Sequence, residues 1–169
     1  MAVATQFIIL KATKVGESSL VLHTISREWG RKGFITSVSR RSSMAMFLPM
    51  SMIDAEVTEN RKSGLWSLGK AKAVHQFNGI RSDFTKNAIS LFMSEVLYRT
   101  IRDGAYEDGL FEWMERTLLT LDALETDFCK SHNIMNMVRK SFKRISIILN
   151  SSSEESMIQF TFVRKESKS

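Results

Sequence analysis

Apolar and polar residues alternate with a period of two over the first 75 positions of the chain. After Gly79 the spacing changes to three and four. The first alternation is Thr5 to Thr13 (TQFIILKAT), with Phe7, Ile9 and then Lys11 on one face and Ile8, Leu10 and Ala12 on the other. Val15-Gly16-Glu17-Ser18 suits a strand-to-strand turn, because glycine takes a positive φ without steric cost and serine bonds the local backbone. Ser19 to Ile25 reads as a second strand, and the charged Arg27-Glu28-Trp29-Gly30-Arg31 as a second turn. In the third strand Phe34, Thr36 and Val38 alternate with Ile35, Ser37 and Ser39.

Residues 40–50 read as a loop holding the only proline, Pro49; Met44, Met46, Phe47 and Leu48 are apolar enough to be expected beneath it. Met50 to Glu59 alternates as a fourth strand, and 60–64 is a turn. Leu65 to Val74 is a fifth strand, with Gly69 marking a bulge. Five short strands with no interposed long helix fit a small Greek-key barrel of the OB type, although an SH3-like barrel gives the same string.

Beyond Gly79, residues Ile89, Phe92, Met93, Val96, Leu97 and Ile101 fall on one face of a helix from about 82 to 102. Ser82 or Asp83 would cap its start, and Gly104 follows its end. Leu110, Phe111, Met114, Leu118, Leu121 and Phe128 repeat the pattern over 108–128, which predicts an antiparallel partner helix. Ile134 to Leu149 is a third helical run with Met137, Val138, Ser141, Ile145 and Ile148 on one stripe. Residues 150–155 are a polar linker, MIQFTFV (157–163) alternates as a strand, and a frayed tail follows. The predicted class is therefore α+β: an OB-type barrel over 1–79, a helical domain over 80–149, and a linker and tail over 150–169.

Composition adds mainly exclusions. A hydrophobic share of 43% and a charged share of 25% argue against wholesale disorder. No apolar run reaches the roughly 20 residues that span a bilayer, and the N-terminus lacks a basic stretch typical of a signal peptide, so cytoplasmic residence is the default expectation. One cysteine, Cys129, excludes an internal disulfide or a multi-cysteine zinc site. The net charge of +6 is unevenly spread. Lysine and arginine outnumber aspartate and glutamate by 11 to 5 over residues 1–80 and by 7 to 3 over 133–169, with a 6 to 10 deficit between. A basic N-terminal module attracts polyanions; the same excess also suits a plain solvated surface.

Catalytic chemistry is poorly represented. His23, His75 and His132 are far apart and lack partners at metal-ligand spacing, and the chain shows no glycine-rich phosphate loop, nucleophile elbow or zinc motif. The expectation is a protein that is not an enzyme and needs no cofactor. Binding chemistry is better supplied. Arg27, Arg31 and Lys32 flank one turn, Arg40 and Arg41 leave the third strand, and Arg61, Lys62, Lys70 and Lys72 lie near the last two strands. Barrel loops converge in space, so these cations would line one groove, where single-stranded nucleic acid also needs aromatic faces for stacking. Trp29 and Trp66 are the candidates, and each equally suits a core or rim position.

These residues resemble the RecO family of bacterial recombination mediators, most closely its Bacteroidetes branch. The similarity is carried by the opening FIILKAT, the Gly16-Glu17-Ser18 turn, and Ser26-Arg27-Glu28-Trp29-Gly30-Arg31, which looks like the family's Ser/Thr-Arg-Glu-aromatic-Gly-basic turn. Val38-Ser39-Arg40-Arg41, Leu48-Pro49, Phe77-Asn78-Gly79-Ile80-Arg81, AISLFMSEVLYRTIRD and LFEWMERTLLTLD extend it over about residues 5–132. The resemblance implies an OB domain and a helical domain that bind single- and double-stranded DNA. It also implies annealing of complementary strands and, with RecR and the single-strand-binding protein, loading of RecA. It places DNA contacts on Arg27, Arg31, Lys32, Arg40 and Arg41; Lys70 and Lys72 come from the charge pattern alone. The four-cysteine zinc site of some members is absent. Similarity also stops after about Asn133, which puts the contact with the single-strand-binding protein in question. The alternative expectations are a non-catalytic protein-interaction module, or a shortened or frame-altered relative without mediator activity.

Overall fold

The computed structural model describes residues 3–38, 44–60 and 65–125, together with residue 143. Five strands, β1 (Val3–Val15), β2 (Ser19–Ser26), β3 (Gly30–Ser37), β4 (Met52–Asn60) and β5 (Leu65–Ala73), precede three helices, α1 (Asn78–Ser82), α2 (Phe84–Thr100) and α3 (Leu110–Ala123). The strands close a barrel in the order β1-β2-β3-β5-β4. Four seams are antiparallel, and the β3–β5 seam is parallel, with Ile35 opposite Ser67. This is the expected OB-type barrel followed by helices.

Two cores divide the apolar residues. Phe7, Ile9, Leu20, Leu22, Phe34, Val57 and Leu68 fill the barrel interior. Ile8, Leu10, Ile25 and Met52, on its outer face, pack with Met93, Leu97, Met114, Leu118 and Leu121 of the helices. The long central part of β1 is thus buried on both sides, which explains why FIIL shows no polar alternation.

The register corrects one face assignment. Ile9 pairs with Thr24 but Lys11 pairs with His23, so Leu10 is an extra residue in β1 and a bulge. Beyond the bulge the alternation inverts. Ala12, not Lys11, joins the interior with Phe7 and Ile9, and Lys11 turns to the helical side beside His23. A second bulge lies in β5, where Glu56 faces Gly69 and Asp54 faces Lys72; the positive φ is taken by Lys70 (51°) rather than by Gly69.

The helix expected from about 82 to 102 is α2, and Asp83, one of the two expected caps, accepts from the Lys86 N–H at its start. Its buried side includes Lys86, Ser90 and Ser94 with Met93 and Leu97, whereas Phe92 is half exposed. Ser94 donates to the Leu10 carbonyl, satisfying an acceptor next to the β1 bulge. Of the four apolar loop residues expected to pack, Phe47 is buried and Met46 packs partly buried against the barrel core, whereas Met44 and Leu48 are exposed, against expectation. α3 ends at Ala123 rather than near 128. The third helical run, the strand at 157–163 and Cys129 lie outside the described residues, save residue 143.

Candidate nucleic-acid interface

The β3–β5 seam carries a groove of about 550 Å³, lined by Ile35, Thr36 and Ser37 of β3, by Ser67 through Ala71 of β5, and by Met46 and Phe47. Hydroxyls and an ammonium alternate with apolar surface there, a mixture suited to sugar, phosphate and base edges. The Thr36 hydroxyl donates to the Leu68 carbonyl (3.0 Å) and so ties the two walls together.

Because β3 and β5 run parallel, Lys32 and Trp66 share the end where both strands begin. Lys32 Nζ lies 3.6 Å from the Trp66 ring centroid, a cation–π contact. Trp66 tilts against Trp29 at 5.9 Å, and Trp29 packs against Phe34 (6.2 Å) and Phe7 (6.3 Å). The two tryptophans therefore plug the end of the barrel, half buried, and the ring face of Trp66 nearest Lys32 is occupied. At the other end, Lys70 lines the groove and pairs with Glu56 at 3.0 Å, its side chain 75% exposed. Lys72 is exposed opposite Asp54. The Lys70–Glu56 surface pair contributes about 0–1 kcal/mol, so it holds Lys70 only weakly. Val38 leaves β3 at this end with its N–H bonded to the Ser18 carbonyl (2.7 Å). Arg40, Arg41, Arg61 and Lys62 lie outside the described residues.

Two arginines singled out by the sequence are placed elsewhere. Arg27 pairs with Glu112 (3.1 Å) and Glu115 (3.3 Å) and lies over the Phe111 ring, all on α3. Arg31 is 4% exposed and faces the turn after α2. Alternation explains the split: Lys32 points to the barrel end, and Arg31, one residue earlier, points to the helices. The structure thus uses Arg27 and Arg31 as ties between barrel and helices, and it brings Lys32, Trp29 and Trp66 together at the end of the barrel where β3 and β5 begin.

A grouping that the sequence does not reveal, of Lys11, His23 and Arg31, surrounds Tyr98 of α2. Lys11 Nζ lies 4.6 Å from its ring centroid, Arg31 Cζ 5.1 Å, and the His23 ring 5.1 Å edge-on. Burial, then the Arg31 charge, and to a lesser degree Lys11, push the His23 pKa below 6.5 against the opposing pull of Asp103. Burial likewise lowers the Arg31 guanidinium, with Asp103 and Tyr98 opposing. The β1 bulge hides this cluster from a strict period-two reading. Among the described residues no group of His, Cys, Asp and Glu is arranged to hold a metal, and no helix is long and apolar enough to cross a membrane.

An OB-type barrel with a polar, lysine-edged groove and a helical flank belongs to a class of small barrels that includes binders of oligonucleotides and of oligosaccharides. Within that class, residues 1–77 match the family described as "Recombination protein O N terminal". Those residues are similar to the N-terminal part of RecO, a family of DNA repair proteins. Similar curated relatives carry the name DNA repair protein RecO. One from Phocaeicola vulgatus is 31% identical over 77% of this chain and 56% of its own length, and one from Bacteroides fragilis is 29% identical over 77% and 55%. A Flavobacterium johnsoniae protein of that name is 28% identical over 72% and 54%. The chain spans about half the length of these relatives.

Proposed function

We propose that the chain is a non-enzymatic DNA-binding repair protein that holds a single strand along the β3–β5 groove. Lys70 and Lys72 neutralise phosphates at one end, and Lys32 with Trp66 and Trp29 supplies charge and ring surface at the other. The observation that carries this reading is the groove itself: an opening of about 550 Å³ on an OB-type barrel, edged by Lys70 and ending near the Lys32–Trp66 pair. Arg40 and Arg41, which follow Val38 and Ser39 in sequence, add to the cation count of this part of the chain. Double-stranded DNA is held by the same cations through its backbone. Screening of strand repulsion then favours annealing of complementary strands. The resemblance to RecO supports a role in RecA loading with RecR, in a cytoplasmic setting, and the single-strand-binding protein is the less secured partner because similarity stops after about Asn133.

Fluorescence anisotropy with a labelled single-stranded oligonucleotide across a salt series tests this directly. Affinity should fall with salt at about −0.7 in log–log slope per phosphate contacted. Absent or salt-insensitive binding rejects the reading. It would favour a second one, a protein-interaction module, for which the 88% exposure of Phe84 at the start of α2 is the supporting observation.

A further inference from the structure

Arg31 is the one residue whose buried side-chain nitrogens find no acceptor among the described residues: Nε and Nη1 are both unpaired. Asp103 Oδ1 is the nearest carboxylate oxygen, 3.7 Å from Nη1, which is too long for a hydrogen bond, and the Asp103 side chain is 72% exposed. Leaving such donors dry is costly, so native structures rarely do it without a reason.

The surroundings of that guanidinium are cationic. Lys11 and His23 are cross-strand partners, and Arg31 lies diagonally from His23, since Ile25 is opposite Arg31. All three reach the same side of the sheet because of the Leu10 bulge. The position beside His23 on β3 is Gly33, where an added Cβ would meet nothing nearer than His23 Nδ1 at 3.9 Å, so the row is open. Tyr98 of α2 backs the cluster, and Asp103 is its only carboxylate among the groups that shape the His23 and Arg31 titrations. Three nitrogen bases against one loosely held carboxylate leave an excess of positive charge and of donors.

We infer that the Lys11–His23–Arg31 corner beside Tyr98 binds one phosphate group, with Asp103 swinging outward to admit it. A tetrahedral oxyanion offers several acceptors at once, as donors on three different strands require, and charge-assisted bonds of this kind are the strong ones. Two sources share that chemistry: a backbone phosphate of DNA, which rests on the function proposed above, or free phosphate. The corner lies on the helical side of the barrel, apart from the groove, so a DNA phosphate bound here belongs to a second contact.

The test uses the full chain in phosphate-free buffer, following the His23 ring signals by NMR during titration with inorganic phosphate and, separately, with a single-stranded oligonucleotide. Phosphate should move the His23 resonances and raise its pKa, since a bound anion favours the imidazolium. Lys11→Gln should weaken phosphate binding by about fivefold, as for a partly exposed ion pair, and Asp103→Asn should strengthen it by a similar factor. His23 signals unmoved by either titrant overturn the inference. So does oligonucleotide or phosphate binding that neither K11Q nor D103N alters, and in that case DNA binding by the groove still stands. Movement with phosphate while the oligonucleotide fails to bind keeps the corner as a free-phosphate site and removes the DNA reading instead.

Discussion

The backbone of Gly30 lies so close to the carbonyl of Ala105 that a Cβ on Gly30 would overlap it. Arg31 N–H donates to that carbonyl at 2.8 Å, and Gly104 N–H donates to the Arg31 carbonyl at 2.7 Å. The start of β3 is thereby stitched to the turn after α2. The arginine-rich turn that reads as a nucleic-acid contact is, in three dimensions, the joint between barrel and helices.

Gly30→Ala should therefore destabilise the fold by about 3 kcal/mol, combining backbone overlap with loss of a favoured φ of +60°. Gly16 also has a positive φ (+69°) but faces open space, so Gly16→Ala should cost about 1 kcal/mol. Denaturant midpoints of the two variants give the comparison; equal losses would mean the joint contributes nothing special.

Lys86 is 3% exposed and donates from Nζ to the carbonyls of Asp122 (3.0 Å) and Leu124 at the end of α3. An ammonium at a helix C-terminus neutralises carbonyls that have no helical partner. Lys86→Met keeps the apolar stem and removes the charge, so it should lower stability by about 1–3 kcal/mol. Urea unfolding checks it, and an unchanged midpoint would show that solvent already satisfies those carbonyls.

Acid should loosen the fold through His23. Its pKa in the folded chain lies below the unfolded 6.5, so the unfolded state binds more protons in that window. The resulting stability is present above pH 6.5 and is lost as pH falls through the lowered folded value. Stability measured from pH 8 to pH 5 should decline more steeply for the unmodified protein than for His23→Gln. Parallel curves would place the acid sensitivity on another group.

On the DNA side, Arg40→Ala with Arg41→Ala, and separately Lys70→Ala with Lys72→Ala, should each weaken oligonucleotide binding. Each pair should flatten the salt slope by about 1.4 if both side chains touch phosphate. Trp66→Ala should cost about 1–3 kcal/mol of affinity if a base stacks there. Trp66→Phe separates stacking from plugging of the barrel, because it preserves a ring. Arg27→Ala should leave the salt slope in place, since Glu112 and Glu115 already hold that charge.

Strand number, strand order of appearance and the shift from sheet to helix were legible from turn residues between the strands and from the change of apolar spacing after Gly79, even though the centre of β1 is buried on both sides. What escaped was what breaks the period. Leu10 as an extra residue reverses the sides taken by Lys11 and Ala12, and nothing in TQFIILKAT marks it. On α2 the buried face includes Ser90, Ser94 and Lys86, whose polar atoms are satisfied by backbone carbonyls; composition alone puts such residues outside. For the interface, the type of residue was readable and its direction was not. Arg31 and Lys32 are adjacent in sequence and serve opposite sides of one strand.

Among the described residues, the β3–β5 seam has one paired position, Ile35 with Ser67, while the other four seams are long ladders. A wall hinged along ladders and latched there by one backbone pairing and the Thr36–Leu68 bond is least braced at that seam. In the function proposed above, the strand would therefore lie against the part of the cylinder with the fewest backbone ties.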